Sequence, residues 1–456
     1  MGVAADINPA YLEDASGYRG FAERVIVPSD EAGVVAALRE ASTAGMPVTI
    51  AGAGTGVTGG RVPLGGWVIS LEKFTRLEIQ KGEATAGPGV LLRDLHAAAQ
   101  STGQFYPPDP TETGASMGGT IATNASGSRS FRYGATRRWI ERLRVVLANG
   151  RTLDVGRGDA IDFHCPAIPL PAVSKNTAGY LLRPGMDWID LFAGSEGTLG
   201  VVTEARLRLL PAPRAVLAGV VFFPNDDAAV DAVSDWRECA PVRMLEYFDQ
   251  PSLALLRSRF PEIPAAASAA LLFDQELKSE DDPEIDLWSR RIEEAGALAQ
   301  DSWFALSASD RERFRRFRHS LPELVNDTVR RNGVLKMNTD YAVPLDRNRE
   351  MLAYYRQRSE QEFPGRYVIF GHIGDAHLHV NLFSSPENPQ HATGLLLEFA
   401  RKAVELGGTV SAEHGLGKRK AHLLPLQYAA EHLESMRAVK QRLDPQNLLG
   451  RGVLFA

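Results

Sequence analysis

The sequence predicts an α+β fold in two cooperating units, and three observations carry that prediction. The chain has 456 residues, 44% of them hydrophobic, enough for two or three domains with cores of their own. Helical and strand periodicities alternate through roughly the first 210 residues. Pro211-Ala212-Pro213 then interrupts the pattern, and longer helical segments follow, which places a domain boundary near Pro211.

Taken in order, Ser29 to Gly45 reads as a helix. Ser29 or Asp30 caps it, Val34, Val35, Leu38 and Ala41 form its apolar stripe, and Gly45 stops it. Pro47 to Ala51 reads as a strand that runs into a glycine loop, Gly52 to Gly60, and Trp67 to Leu71 reads as the strand after it. A strand pair is expected around Asn149-Gly150 between Arg142 and Val155, with a further alternating strand from Val201 to Leu209. Beyond the boundary, Ser309 to Arg331 and Leu426 to Leu443 have the spacing of long helices. Lys336, Asn338 and Asp340 alternate on a strand that ends at Val343-Pro344.

Composition excludes several classes. With 50 Lys and Arg against 56 Asp and Glu, the net charge is −6, which gives no electrostatic footprint for nucleic acid. The two cysteines, Cys165 and Cys239, are far apart, so neither a disulfide scaffold nor a thiolate zinc site is indicated, and a reducing cytoplasmic compartment is expected. Met1 to Pro28 lacks the charge and apolar pattern of a secretion signal. Leu209 to Pro224, the most apolar stretch, is broken by Pro211, Pro213 and Arg214 and falls short of the roughly 20 residues needed to span a bilayer. A soluble protein follows, with room for peripheral attachment at the inner membrane face.

Gly54-x-Gly56-x-x-Gly59 after a strand matches the dinucleotide fingerprint, and Glu72 stands where a ribose-binding acid would be sought. However, Gly60, Pro63, Gly65 and Gly66 keep a helix from starting after the loop. What remains is a glycine nest, in which close backbone approach lets successive N–H groups cradle a diphosphate without a helix dipole. Two more small-residue walls, Thr113 to Gly127 and Gly194 to Gly200, point to a large, extended ligand.

These residues carry a resemblance. Ala51 to Gly56, Pro107-Pro108-Asp109-Pro110, Ile121 to Ala125, Arg132-Tyr133-Gly134 and Gly194-Ser195-Glu196-Gly197-Thr198-Leu199-Gly200 together resemble the FAD-binding domain of the vanillyl-alcohol oxidase/p-cresol methylhydroxylase superfamily. The resemblance implies a two-subdomain FAD-binding domain over residues 28–210 after an N-terminal extension, 1–27. It also implies an α+β cap over 211–425 and a C-terminal segment, 426–456, that returns to the FAD domain. Gly52, Ala53, Gly54, Thr55, Gly56 and Gly59 would line the diphosphate. Pro108, Asp109, Thr113, Gly114, Ser116 and Gly119 would line the middle of the cofactor, joined by Thr123, Asn124 and Ala125. Glu196, Gly197 and Val201 would enclose its far end. Some members attach FAD through a histidine in the glycine loop; this loop has none, so the flavin is expected to be non-covalent. Where the family often ends in Asn-Pro-Gly-Lys, this tail reads Leu449-Gly450-Arg451-Gly452-Val453.

Five of the ten histidines fall between His372 and His414. After the turn that carries His372, alternation puts His377, His379 and Asn381 on one strand face, and Glu413-His414 adds a carboxylate and an imidazole in a glycine-bounded turn. Two imidazoles with a carboxylate are a ligand set for zinc or another borderline divalent ion, with positions left for substrate. His391, His422 and His432 are read as ordinary polar residues.

This half resembles the D-2-hydroxyacid dehydrogenase branch, whose Gly-His-x-Gly-Asp-Gly-x-Leu-His motif is present with Ala376 in place of one glycine, and whose Glu-His-Gly is Glu413-His414-Gly415. The resemblance implies His372, His379 and Glu413 as metal ligands, zinc first with manganese or iron as alternatives, and His414 as base. It places Arg318 and Lys336 in the substrate-anchoring segment, and Asn381 beside them. Hydroxyglutarate enzymes carry a lysine two residues before the aspartate, where this chain has Asn338. Oxidation of a small D-2-hydroxy acid, D-lactate foremost, is therefore expected. The electron acceptor would be a quinone, cytochrome or electron-transfer flavoprotein, and a homodimer fits the branch. Glycolate or D-2-hydroxyglutarate oxidation and a non-catalytic flavin-binding subunit are the rivals. A metal-dependent hydrolase would leave the glycine walls without a purpose.

Overall fold

Capping and periodicity place the first elements where the sequence predicts them. In the computed structural model, which describes residues 7–238 and 242–455, helix Glu31–Ala44 starts at Asp30, whose carboxylate accepts from Gly33 N at 2.8 Å, and stops at Gly45 with φ 64°. Its buried stripe, Val34, Ala37, Leu38 and Ala41, packs with Val48 and Ile69. The parallel strands Arg24–Ile26, Trp67–Ser70 and Val48–Ala51 form one sheet in that order. A five-stranded antiparallel sheet stands beside it, ordered Leu77–Gln80, Glu83–Ala86, Val201–Arg208, Ile140–Val146 and Thr152–Gly156. The last two are the hairpin predicted around Asn149-Gly150, with Gly150 at φ 76°. Glu31 ties the two subdomains together by accepting from Arg144 at 2.7 Å and from Thr203 at 2.7 Å.

The second half is built on a seven-stranded, wholly antiparallel sheet, ordered Trp303–Ala305, Ala215–Phe223, Ala269–Leu277, Val242–Asp249, Tyr367–His372, His377–Ser384 and Leu335–Asn338. Alternation divides its side chains between two helical layers. Val220, Phe222 and Phe248 pack with Phe314, Phe317 and Leu321 of helix Ala308–Asn332. Val221, Phe223 and Phe273 pack with Trp236 and Trp288 on the other face. Ser307 caps the long helix by accepting from Asp310 N, and Gly333 ends it at φ 61°. The chain end returns to the first half: Val48 N donates to Leu448 O at 2.7 Å and Gly450 N to Val48 O at 3.0 Å.

Two local expectations are corrected. The helix expected from Leu426 to Leu443 is two pieces, Leu424–Gln427 and Ala430–Leu443, because the Gln427 side chain turns back to accept from Val410 N at 2.8 Å and the backbone of Tyr428 is extended. His372 is the last residue of its strand, paired with His377, and the turn begins after it. Of the cysteines, Cys165 is free and Cys239 lies outside the described residues. No helix of the described residues is long and apolar enough to cross a membrane.

Candidate functional site

A cleft enclosing about 1680 Å³, part of it open to solvent, runs from the glycine loop to the histidine cluster. Gly52, Ala53, Gly54, Thr55 and Gly56 form one end, with no helix following them. A Cβ on Gly52 would fall 2.6 Å from Ser116 Oγ, and Gly54 holds φ 83° with its missing Cβ 2.6 Å from Arg61 Nη1, so the two walls approach at backbone distance only because glycine stands there. Ser116, Gly119, Thr123 and Ala125 line the middle, and Glu196, Gly197 and Val201 the next wall. A long cradle of bare backbone and small hydroxyls fits an extended dinucleotide such as FAD.

Six of the expected cofactor residues stand behind these walls. Pro108 O faces His96 Nε2 at 3.1 Å and Asp109 pairs with Arg129 at 3.5 Å. Thr113 O accepts from Arg93 N, and Gly114 N donates to Glu112 at 2.7 Å. Asn124, at φ 48°, accepts from Arg137 N at 2.8 Å, and Gly59 packs toward Tyr18. They shape the loops whose neighbours reach the cleft.

Glu196 has a second task beyond the cofactor wall. Its carboxylate accepts from Leu416 N at 2.9 Å and Gly417 N at 2.7 Å, tying this wall to the turn that carries His414. Burial pushes its carboxyl up to about 7.

At the far end His372, Glu413 and His414 line the cleft. Strand pairing explains the gathering, since residues opposite each other or two apart share a face: His372 faces His377, and His379 faces Phe370. His372 Nδ1 lies 2.5 Å from Glu246 Oε1 and its Nε2 lies 3.3 Å from Glu413 Oε1. Burial alone would lower this imidazole, but Glu246 and Glu413 outweigh it and raise its pKa. His379 Nδ1 lies 3.1 Å from Thr339 O, which places its proton there and leaves Nε2 as a lone pair. Burial and the neighbouring imidazoles hold His379 well below the usual histidine range.

Glu413 is held by Ser126 Oγ at 2.9 Å and by Lys175 Nζ at 2.5 Å, and Lys175 also sits 3.3 Å from Asp375. Against the desolvation that burial imposes, His372 and Lys175 keep Glu413 well below the carboxylate range. Asp340 is likewise depressed, burial being outweighed by His414 and Lys420. It accepts from Glu413 N at 3.2 Å, His414 N at 3.1 Å and Ser411 Oγ at 3.0 Å. His414 Nδ1 lies 3.3 Å from Asp340 Oδ1, so the opposite nitrogen, Nε2, is the one free to act as a base.

The residues fit a divalent ion. One ligand atom from each of His372, His377, His379 and Glu413 falls within 4.8 Å of all the others. Four carboxylates, Glu246, Asp340, Asp375 and Glu413, face three cations, Lys175, Arg318 and Lys420, and the surplus negative charge suits a cation.

The expected substrate residues separate. Arg318 Nε donates to Glu246 Oε2 at 2.9 Å and Nη1 to Thr111 Oγ1 at 3.1 Å, which sets the guanidinium between the two halves against Thr111, a residue that lines the cleft. Asn381 is buried on the histidine face, and its Nδ2 has no hydrogen-bond partner among the described residues. Lys336 donates instead to Asn326 at 2.8 Å. Sequence reasoning missed Lys175, Glu246 and Asp340 as organisers of the cluster.

Comparison with known proteins agrees with this geometry. A family model described as "FAD linked oxidases, C-terminal domain" matches residues 212–454, and one described as "FAD binding domain" matches residues 22–156. The chain is 32% identical to the glycolate oxidase subunit GlcD of Bacillus subtilis, over 98% of this chain and 92% of that protein. It is 31% identical to a D-lactate dehydrogenase of Archaeoglobus fulgidus, covering 94% and 90%. It is 30% identical to a D-2-hydroxyglutarate dehydrogenase of Xanthomonas citri, covering 94% and 89%. A solved alkyldihydroxyacetonephosphate synthase shares the fold, with a TM-score of 0.69 at 16% identity over 93% of this chain and 75% of that one.

Proposed function

This chain belongs to the FAD-linked oxidases, and from that premise we propose that it oxidises a small D-2-hydroxy acid, D-lactate foremost, to the 2-oxo acid. The observation that supports this reading is that His372, Glu413 and His414 line the same cleft as the glycine loop. A carbinol carbon held over the flavin wall would then lie within reach of a base.

FAD, when bound along the glycine walls, supplies a two-electron acceptor for the hydride of C2. A divalent ion held by His372, His379 and Glu413 would supply Lewis acidity toward the 2-hydroxyl; zinc is the leading choice, with manganese or iron as alternatives. The remaining work belongs to the protein's own groups. His414 takes the hydroxyl proton at Nε2, and Asp340, beside Nδ1, stabilises the imidazolium that results. Arg318 anchors the substrate carboxylate from beside Thr111, while Glu246 keeps that buried guanidinium compensated. Asn381, buried on the strand face that carries the histidines with its amide nitrogen unpartnered among the described residues, is the further polar group we assign to substrate. Lys336 is engaged with Asn326, which favours a monocarboxylate over a substrate with a distal second carboxylate.

The test is an anaerobic visible spectrum of the purified, metal-replete protein with D-lactate, L-lactate, glycolate and D-2-hydroxyglutarate added separately. Bleaching of the oxidised-flavin band by D-lactate and not by L-lactate is expected. A flavin band that none of the four bleaches would overturn the reading.

A further inference from the structure

Three imidazoles, not two, converge on Glu413. His377 is fully buried, and neither of its ring nitrogens has a hydrogen-bond partner among the described residues, an expensive state for a polar ring unless something else occupies it. Its Nδ1 lies 3.9 Å from Glu413 Oε1 and its Nε2 lies 3.4 Å from Asp340 Oδ1.

The orientation of the three rings follows one rule. Each turns its outer nitrogen toward an acceptor fixed by the fold: His372 to Glu246 and His379 to the carbonyl of Thr339 at hydrogen-bond distance, and His377 to Asp340 at 3.4 Å, a contact short of a hydrogen bond. An acceptor on the outer nitrogen draws the ring proton there and leaves a lone pair on the inner nitrogen. The inner nitrogens of His372 and His377 lie 3.3 and 3.9 Å from Glu413 Oε1, and one ligand atom from each of the three rings and from Glu413 falls within 4.8 Å of the others. Three imidazoles and a carboxylate gathered this closely present lone pairs that a cation can bind.

We propose that His377 is a fourth protein ligand of the divalent ion, bound through Nδ1 and oriented by Asp340 at Nε2. This rests on the metal reading given above and extends its ligand set from two imidazoles to three. Asp340 thereby serves two rings, holding His377 toward the ion and His414 toward the substrate. Four protein ligands close a strictly tetrahedral ion, so substrate access requires one that expands to five or six ligands.

The experiment uses the FAD-loaded protein, stripped of metal and titrated with Zn²⁺ against a chromophoric chelator. X-ray absorption at the zinc edge then counts imidazoles in the one-equivalent complex. For the native protein we expect one tight equivalent and three imidazoles; for His377→Gln, at least tenfold weaker binding and two imidazoles. His422→Gln, altered outside the cluster, controls for loss of a histidine. Two imidazoles in the native complex, or unchanged Zn²⁺ affinity in His377→Gln, would overturn the fourth ligand and leave the metal reading standing. Absence of any tight Zn²⁺ equivalent in the native protein would overturn the metal reading itself. The imidazole count of the native protein needs no variant and keeps the inference open to refutation should His377→Gln fail to fold.

Discussion

Replacing Glu246 by glutamine should destabilise the cap and loosen the metal site together, because the two oxygens of that carboxylate serve different partners. Oε1 lies 2.5 Å from His372 Nδ1 and Oε2 accepts from Arg318 Nε at 2.9 Å, with the Glu246 side chain 3% and that of Arg318 14% exposed. Removing one partner of a buried pair costs about 3–5 kcal/mol, because the other charge stays behind uncompensated. The amide retains one acceptor worth about 1 kcal/mol, which brings the expected loss to about 2–4 kcal/mol. For a cap of this size that is a fall in midpoint of roughly 5–15 °C, read by the fluorescence of the cap tryptophans Trp236, Trp288 and Trp303. Removing both charges in Glu246→Gln with Arg318→Met should recover most of the loss, a coupling of at least about 1.5 kcal/mol in the double-mutant cycle. The pH dependence has a definite sign. Burial raises the Glu246 carboxyl, but Arg318 and His372 overcome it and depress the pKa far below 4.5, so its contribution is full above pH 4.5 and lost as the pH falls toward the folded value. The native protein should therefore lose more stability on acidification than the variant. A single substitution that costs less than 1 kcal/mol, with no coupling to Arg318, would refute the account of this triad.

Three further outcomes follow from the site. His414→Gln should keep its yellow flavin and lose turnover by about 10²–10⁴-fold; activity near the native level would remove His414 as the base. Glu196, raised from 4.5 to about 7 by burial, stabilises the fold fully below pH 4.5 and loses that contribution as the pH rises through 7. Glu196→Gln should thus flatten the stability profile between pH 5 and 8 by about 2–3 kcal/mol, and melting curves that change in parallel with those of the native protein would contradict it. Gly417 holds φ 51° with its missing Cβ 2.2 Å from Thr58 O, so Gly417→Ala should push the His414 turn off the glycine loop at about 2–4 kcal/mol and weaken FAD binding. Gly394→Ala, with nothing within 4 Å in its helix, is the control: it should leave flavin titration unchanged and stabilise by up to about 1 kcal/mol in denaturation.

Much of the fold was legible because its signals are local. Asp30 and Gly45 bound a helix through their own backbone chemistry, and Asn149-Gly150 turns a hairpin without help from distant residues. The helix expected from Leu426 failed for the opposite reason. Its spacing is regular, but Gln427 has a stronger claim on Val410 N and Thr409 Oγ1, 17 and 18 residues away, and nothing in a periodicity reports a tertiary hydrogen bond.

The site divides along the same line. His372, His379, Glu413 and His414 stand out because histidines and glycines crowd one stretch of sequence. Lys175 and Glu246, 238 and 126 residues from the partners they engage, sit in segments with no such marker. A buried lysine or glutamate is legible only through the charge it compensates, and that charge is assigned only after the chain has folded. His377 is the intermediate case: alternation puts it on the correct face, yet spacing alone cannot separate a ligand from a core histidine. What separates them is the outer nitrogen. A core histidine satisfies both nitrogens with the protein; this ring turns one toward Asp340 and leaves the other facing a carboxylate. If the ion is absent in solution, that lone pair opposes Glu413 at 3.9 Å, and His377→Leu should then stabilise the apo-protein rather than weaken it. Denaturation of native and variant proteins with and without Zn²⁺ separates the cases, since a ligand makes the native protein gain stability from Zn²⁺ while the leucine variant gains far less. Equal gains would place the ring in the core and outside the metal's reach.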